Sequence, residues 1–112
     1  MSTSPSVTGQ PLPGQPFVAY RNGSLYVEDV ALNALAQTHG TPLFVYSKAA
    51  MLSALAAYQR GFAGRNAQIC YAMKANSSLG VLQVFANAGC GFDIVSGGEL
   101  DRVLAAGGDA GK

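Results

Sequence analysis

A short apolar run near the middle of the chain ends in a lysine. The run reads Gln68-Ile69-Cys70-Tyr71-Ala72-Met73, Lys74 follows it directly, and Asn76-Ser77-Ser78 then interrupts it. Its length and its strand-forming residues predict a buried β-strand. Because burying an ammonium group is costly, the lysine needs either access to water or a partner. A carbonyl group is one such partner, because an amine whose pKa is lowered by apolar surroundings can form a Schiff base with it.

The composition limits the classes of function that are open to the chain. It has 112 residues, 49% of them hydrophobic and 12% charged, with a formal net charge of +1, which is compatible with one small domain at most. The absence of a basic cluster argues against nucleic-acid binding, and no apolar run approaches a membrane span. Cys70 and Cys90 are too few for a metal site or a disulfide framework and favour reduced thiols, so we expect a cytoplasmic protein.

The first third of the chain combines a tail, a hairpin and a helix. Residues 1–16 are rich in Ser, Thr, Pro and Gly, which predicts a disordered tail. Asn22-Gly23 stands between two strand-like runs and predicts a β-hairpin. Asp29 is placed to cap a helix that ends at Gly40. Residues 17–40 are therefore expected to lead, as hairpin and helix, into the next part of the fold.

Three strand-plus-helix units are predicted in residues 41–112. The predicted strands are Leu43–Tyr46, Gln68–Met73 and Phe92–Val95, and the expected helix caps are Ser47, Ser77 or Ser78, and Ser96. Alternation at this spacing predicts parallel strands joined by right-handed crossovers. Three units leave an open sheet edge, so we expect an α/β fold that is the N-terminal part of a (β/α)8 TIM barrel. The hairpin would belong to a second, β-rich domain.

The two faces of the lysine-bearing strand differ in size. The small residues Cys70 and Ala72 share a face with Lys74, whereas the bulky residues at 69, 71 and 73 share the other. We expect the bulky face to pack against helices and the small face to leave room beside the lysine. Asp93 falls near the end of the next predicted strand, at the barrel rim where reactive groups collect. Its carboxylate could tune a cationic imine or could satisfy nearby backbone N–H groups.

Two motifs carry a resemblance to a known family. They read Tyr71-Ala72-Met73-Lys74-Ala75-Asn76-Ser77 and Gly91-Phe92-Asp93-Ile94-Val95-Ser96-Gly97-Gly98-Glu99-Leu100. Together they resemble the diaminopimelate decarboxylase family, within the alanine-racemase-fold group of pyridoxal-phosphate decarboxylases. The similarity begins at about Phe17. The lysine motif is shared by the wider group, and the segment from Val95 to Leu100 is the more discriminating one.

The resemblance implies a site, a reaction and an assembly. Lys74 would be the catalytic residue and would carry pyridoxal 5′-phosphate as a Schiff base, and Asp93 matches an acidic, cofactor-binding position near it. The implied substrate is meso-2,6-diaminopimelate, decarboxylated to L-lysine by a homodimer. The family's phosphate-binding glycines and substrate-binding arginines cannot be placed in this sequence, so we expect it to be an N-terminal portion that is inactive alone. An ornithine- or arginine-type decarboxylase and a truncated, non-catalytic binding protein remain as alternatives.

Overall fold

A computed structural model describes residues 12–112 of the chain, and most of the predicted tail lies outside this range. The chain divides into two compact units, one extending to Ala50 and the other beginning at Met51. The division falls inside a helix, α2, which spans Lys48–Gly61. The domain boundaries that we derived from the sequence remain predictions.

The first unit contains a small antiparallel sheet followed by a helix. The strands β1 (Val18–Arg21), β2 (Ser24–Val27) and β3 (Val30–Ala31) lie side by side in that order, and helix α1 spans Leu32–His39. The predicted hairpin is therefore confirmed, with one strand more than expected. The third strand has only two residues, which is too short to produce a recognisable alternating pattern in the sequence.

The backbone conformation of Asn22 and Gly23 explains the hairpin turn. Asn22 and Gly23 have φ angles of 52° and 81°, the left-handed conformation that a two-residue hairpin turn requires.

Asp29 does not cap α1: Ala31 occupies the cap position, without a side-chain hydrogen bond. The Asp29 carboxylate instead accepts a hydrogen bond from Arg21 Nη1 at 3.1 Å. The cap prediction fails because β3 lies between Asp29 and the start of the helix.

The first predicted strand of the barrel, Leu43–Tyr46, is not a strand in the described part of the chain. Its apolar side chains are largely uncovered there, with Phe44 86% exposed. A strand is defined by hydrogen bonds to a neighbour, and none of residues 12–112 forms a ladder with this segment. The cap that follows it is as predicted, because the Ala50 N–H donates to Ser47 Oγ at 3.0 Å at the start of α2.

The second unit is a strand–helix–strand–helix arrangement. Its elements are β4 (Cys70–Ala72), α3 (Leu79–Asn87), β5 (Gly91–Asp93) and α4 (Gly97–Ala105). β4 and β5 pair in parallel, and the register pairs Cys70 with Gly91, Tyr71 with Phe92 and Ala72 with Asp93. The predicted parallel crossover is thus confirmed for these two strands, each of which is shorter than the sequence suggested.

The core of the second unit lies on the bulky face of β4. Met73 and Leu82 are fully buried, and the ring of Tyr71 stacks on Phe85 with 4.4 Å between centroids. Phe92 meets the same tyrosine ring edge-on at 6.4 Å. Offset and edge-to-face pairs of this kind add to the apolar burial, so they fix the orientation of β4 against α3. The predicted packed face of the strand is confirmed, whereas Lys74, expected to share the small face, lies beyond the strand in a 3₁₀ turn.

Candidate active site

Lys74 lies two residues beyond the end of β4, in a single 3₁₀ turn that spans Met73–Ala75. The buried Met73 anchors this turn in the core, while Lys74 itself is exposed. The predicted position at the C-terminal end of a strand is correct to within two residues. The apolar surroundings expected around the ammonium group are not supplied by residues 12–112, because Lys74 is exposed.

Asp93 is the last residue of β5 and the register partner of Ala72. Register partners in neighbouring strands project from the same face of a sheet, so the carboxylate lies on the face that carries Ala72. Asp93 is exposed, and within the described range its carboxylate accepts no hydrogen bond from a backbone N–H. The structural alternative, a carboxylate occupied by local N–H groups, therefore finds no support.

The segment that follows Lys74 is held by hydrogen bonds that sequence reasoning missed. Tyr71 OH donates to the Asn76 carbonyl oxygen at 2.9 Å, and Arg102 Nε donates to the Ser77 carbonyl oxygen at 3.0 Å. The Ser78 N–H donates to Asn76 Oδ1 at 2.9 Å. Only the last of these has a local signal, since asparagine commonly binds the backbone N–H two residues ahead.

The start of α4 is fixed by two hydrogen bonds from backbone N–H groups to side chains. Ser96 Oγ accepts from the Glu99 N–H at 3.2 Å, and Glu99 Oε1 accepts from the Val95 N–H at 2.7 Å. The predicted Ser96 cap is thereby confirmed. The part played by Glu99 was missed, although Ser-x-x-Glu before a helix is the signature of a capping box. A carboxylate in the first turn also complements the helix dipole.

Gly97 and Gly98 form the first turn of α4 and face open space. Neither has a positive φ, and a Cβ built on either one would find no heavy atom within 4 Å. The unusual backbone conformation that two glycines permit is therefore not used here. Nothing in the described part of the chain requires glycine at these two positions.

An apolar cavity of about 590 Å³ lies between α2 and β4 within the second unit. Its lining includes Leu55, Tyr58, Ile69 and Phe85, and neither Lys74 nor Asp93 contributes to it. The two candidate residues thus lie on an open surface and not in this cavity. Across residues 12–112 we find no cluster of three or more side chains suited to holding a metal ion, and no helix with the length and apolarity needed to cross a membrane.

Comparison with known families places this site in context. Residues 48–112 match the family described as pyridoxal-dependent decarboxylase, pyridoxal binding domain. The chain belongs to this family. The matched range contains β4, Lys74, Asp93 and α4, so both candidate residues lie in the family's pyridoxal-binding domain.

Curated relatives from the family agree with the sequence resemblance. The chain is 54% identical over 93 residues to diaminopimelate decarboxylase of Pseudomonas fluorescens and 55% identical over 89 residues to that of Neisseria meningitidis serogroup B. These alignments cover 83% and 80% of the chain but 22% of each relative. The chain therefore spans about a fifth of the length of the curated relatives that it matches.

Solved structures support the predicted fold. A crystal structure of an Aquifex aeolicus protein aligns with a TM-score of 0.78 at 45% identity, over 84% of this chain and 23% of that one. Diaminopimelate decarboxylase from M. jannaschii, crystallised in complex with L-lysine, aligns with a TM-score of 0.76 at 31% identity, over 81% and 22% of the two chains. The prediction of the N-terminal part of a pyridoxal-phosphate-binding barrel, preceded by a β-hairpin, is confirmed.

Proposed function

We propose that this chain provides the cofactor-anchoring lysine of a pyridoxal-phosphate-dependent decarboxylase that converts meso-2,6-diaminopimelate to L-lysine. The observation that carries the proposal is the position of Lys74. Its exposed side chain follows the C-terminal end of a parallel strand, inside a domain of the pyridoxal-binding decarboxylase family. The identity to relatives named diaminopimelate decarboxylase favours that substrate.

The described residues fit the part of the cofactor that a lysine anchors. A primary amine is available on the exposed Lys74, and Asp93 presents an exposed carboxylate at the end of the neighbouring strand. When bound, pyridoxal phosphate supplies an electron sink that accepts the electron pair left as CO2 departs. Lys74 would bind the cofactor covalently through Nζ and, once released from it, would move a proton with the same atom.

Asp93 would act through its charge. A carboxylate near a nitrogen atom favours a positive charge on that nitrogen and orients the group that carries it. Because Asp93 is the neighbour of Ala72 in the sheet, the rigid backbone pairing sets its position relative to the strand that leads to Lys74. This placement requires no contact between the two side chains before a cofactor binds.

The proposal extends to partners and compartment. We propose a small amino acid as the substrate, a homodimer as the assembly and the cytoplasm as the location, as the family resemblance implies. The solved M. jannaschii relative was crystallised with L-lysine, which is the product of the proposed reaction. Sedimentation of the intact protein tests the assembly, and a mass equal to one chain would contradict the homodimer.

Covalent trapping tests the anchoring role directly. Borohydride reduction of the intact protein with pyridoxal phosphate should attach the cofactor to Lys74, as peptide mapping would show. Replacing Lys74 with Ala or Arg should abolish the label and reduce turnover by more than about a hundredfold, because neither side chain can anchor the cofactor or transfer the proton. Lys48→Ala is the matched control, since Lys48 is an exposed lysine at the start of α2. A label on Lys48 or Lys112 would overturn the assignment.

Substrate comparison tests the specific reaction. The intact protein should release CO2 from meso-diaminopimelate faster than from ornithine, arginine or lysine. A preference for ornithine or arginine would overturn the substrate and leave the role of Lys74 in place. No turnover of any of the four, together with no trapped cofactor, would favour a non-catalytic binding protein.

A further inference from the structure

Two side chains from outside the segment that follows Lys74 bind consecutive carbonyl groups of that segment. Tyr71, in β4, donates to the carbonyl of Asn76, and Arg102, in α4, donates to the carbonyl of Ser77. The two donors are separated from their acceptors by 5 and 25 residues. The same short stretch of backbone is therefore tied both to the strand that precedes it and to the helix of the next unit.

We infer that Arg102 and Tyr71 are positioning residues that hold the backbone after Lys74, and hence the lysine itself, in a fixed place. This inference rests on the proposed function of Lys74 as the cofactor anchor. The segment has only one 3₁₀ turn of its own before α3 begins, so few hydrogen bonds within it restrict its motion. Two bonds from rigid elements supply that restriction.

Each donor is itself held in place. The Tyr71 ring stacks on Phe85 and contacts Phe92 edge-on, so its hydroxyl group projects from a packed aromatic cluster. Arg102 projects from α4, whose first turn is fixed by the Ser96 and Glu99 contacts. A hydrogen bond from a charged guanidinium is stronger than a neutral one. Movement of α4 would therefore displace the backbone next to Lys74.

The Arg102 bond also joins the two sequence motifs of the site. One motif contains Lys74, and the other contains Asp93 and the start of α4. The sheet pairs Ala72 with Asp93 at one point, and the Arg102 bond adds a second connection on the helix side. Two separate connections restrict rotation as well as translation of the segment that contains Lys74 relative to the unit that carries Asp93.

The positive charge of Arg102 can also affect α4, and the test must distinguish this effect from that of the hydrogen bond to Ser77. Arg102 lies in the last turn of α4, where a cation complements the helix dipole. Arg102→Lys keeps the positive charge and removes the Nε–H donor, whereas Arg102→Met removes both. Tyr71→Phe removes only the hydroxyl group and keeps the stacked ring. Arg65→Lys and Tyr58→Phe are matched controls, because within residues 12–112 neither side chain forms a hydrogen bond.

Hydrogen exchange of the intact protein without cofactor is the first measurement. In Arg102→Lys and in Tyr71→Phe we expect amide exchange of residues 74–78 to accelerate about tenfold, because each change removes one hydrogen bond from this segment. The two controls should leave exchange there unchanged. Unchanged exchange in both test variants, or acceleration spread evenly over α3 and α4, would overturn the inference.

Trapping of the cofactor is the second measurement, at a temperature well below unfolding and at limiting pyridoxal phosphate. The rate of labelling at Lys74 should fall by roughly tenfold or more in both test variants, since small misplacements of a reacting group are costly. A purely structural role would lower the melting temperature and leave this rate unchanged, which would overturn the inference. Labelling of the unsubstituted protein elsewhere than Lys74 would overturn the proposed function, and the positioning role with it.

Discussion

Asp93 is the register partner of Ala72 in the parallel pair formed by β4 and β5. Lys74 follows Ala72 by two residues, in the 3₁₀ turn that leaves the strand. The pairing therefore places Asp93 beside the end of the strand that leads into the turn of Lys74. This relationship is the geometric basis of the proposed site, because the carboxyl ends of barrel strands are where reactive groups gather.

Replacing Asp93 with Asn should lower activity while leaving the fold intact. The substitution keeps the shape and removes the charge from an exposed position, so no buried group loses a partner. We expect turnover to fall by about a hundredfold, the typical effect of removing one electrostatic contact at a reacting centre. Trapping at Lys74 should still occur. The exposed carboxylate of Asp101, replaced by Asn, is the matched control, and equal losses in both variants would contradict a specific role for Asp93.

Replacing Gly97 or Gly98 with Ala should not lower the stability of the fold, so any loss of turnover would be a direct effect on the active site. Because an added Cβ meets no heavy atom within 4 Å, and alanine favours a helix, the free energy of unfolding should stay unchanged or rise by up to about 1 kcal/mol. If the cofactor or substrate approaches this turn closely, turnover should nevertheless fall.

Gly108→Ala provides the contrast for these two variants. A Cβ at Gly108 would collide with Val103 Cγ1 and lie 3.0 Å from the Val103 carbonyl oxygen, so stability should drop by about 1–3 kcal/mol. Thermal unfolding and turnover are measured on all three variants. Normal turnover in both Gly97→Ala and Gly98→Ala would show that no ligand needs this space.

Two serines at helix starts should differ in their contribution to stability. Ser96 Oγ accepts a hydrogen bond from the Glu99 N–H, whereas Ser78 occupies the cap position of α3 without a side-chain bond. Ser96→Ala should lower the free energy of unfolding by about 1 kcal/mol, and Ser78→Ala by much less. Denaturant unfolding of the two variants tests this difference, and a loss in Ser96→Ala no larger than that in Ser78→Ala would contradict it.

The two cysteines should differ in reactivity towards alkylating reagents. Burial raises the pKa of the Cys90 thiol, and its Sγ also donates to the Ile69 carbonyl oxygen at 3.3 Å. Because the thiolate is the reacting form, Cys90 should react more slowly than an ordinary thiol and should need a higher pH to do so. Cys70 is exposed and should be alkylated first in cofactor-free protein. The difference should vanish in denaturant, and faster labelling of Cys90 in the folded protein would contradict it.

Features governed by neighbouring residues could be predicted from the sequence. The turn at Asn22-Gly23 follows from the left-handed conformation that these residues accept, and the Ser47 and Ser96 caps follow from hydroxyl groups placed just before a helix. The two faces of β4 follow from the alternation of side chains along a strand. Each of these rests on interactions across a few residues, which the order of amino acids specifies directly.

Features that join distant parts of the chain were decided by the tertiary structure. The sequence predicted that Asp29 caps a helix, but in the folded chain its carboxylate binds Arg21. It marked Leu43–Tyr46 as a strand by apolar character, but a strand needs a neighbour. No local pattern could reveal that Arg102 donates to the carbonyl oxygen of Ser77, 25 residues earlier in the chain. The sequence alone therefore singled out Lys74 as the candidate for the reactive amine, whereas the contact from Arg102 in α4 to the Ser77 carbonyl oxygen exists only in the folded chain.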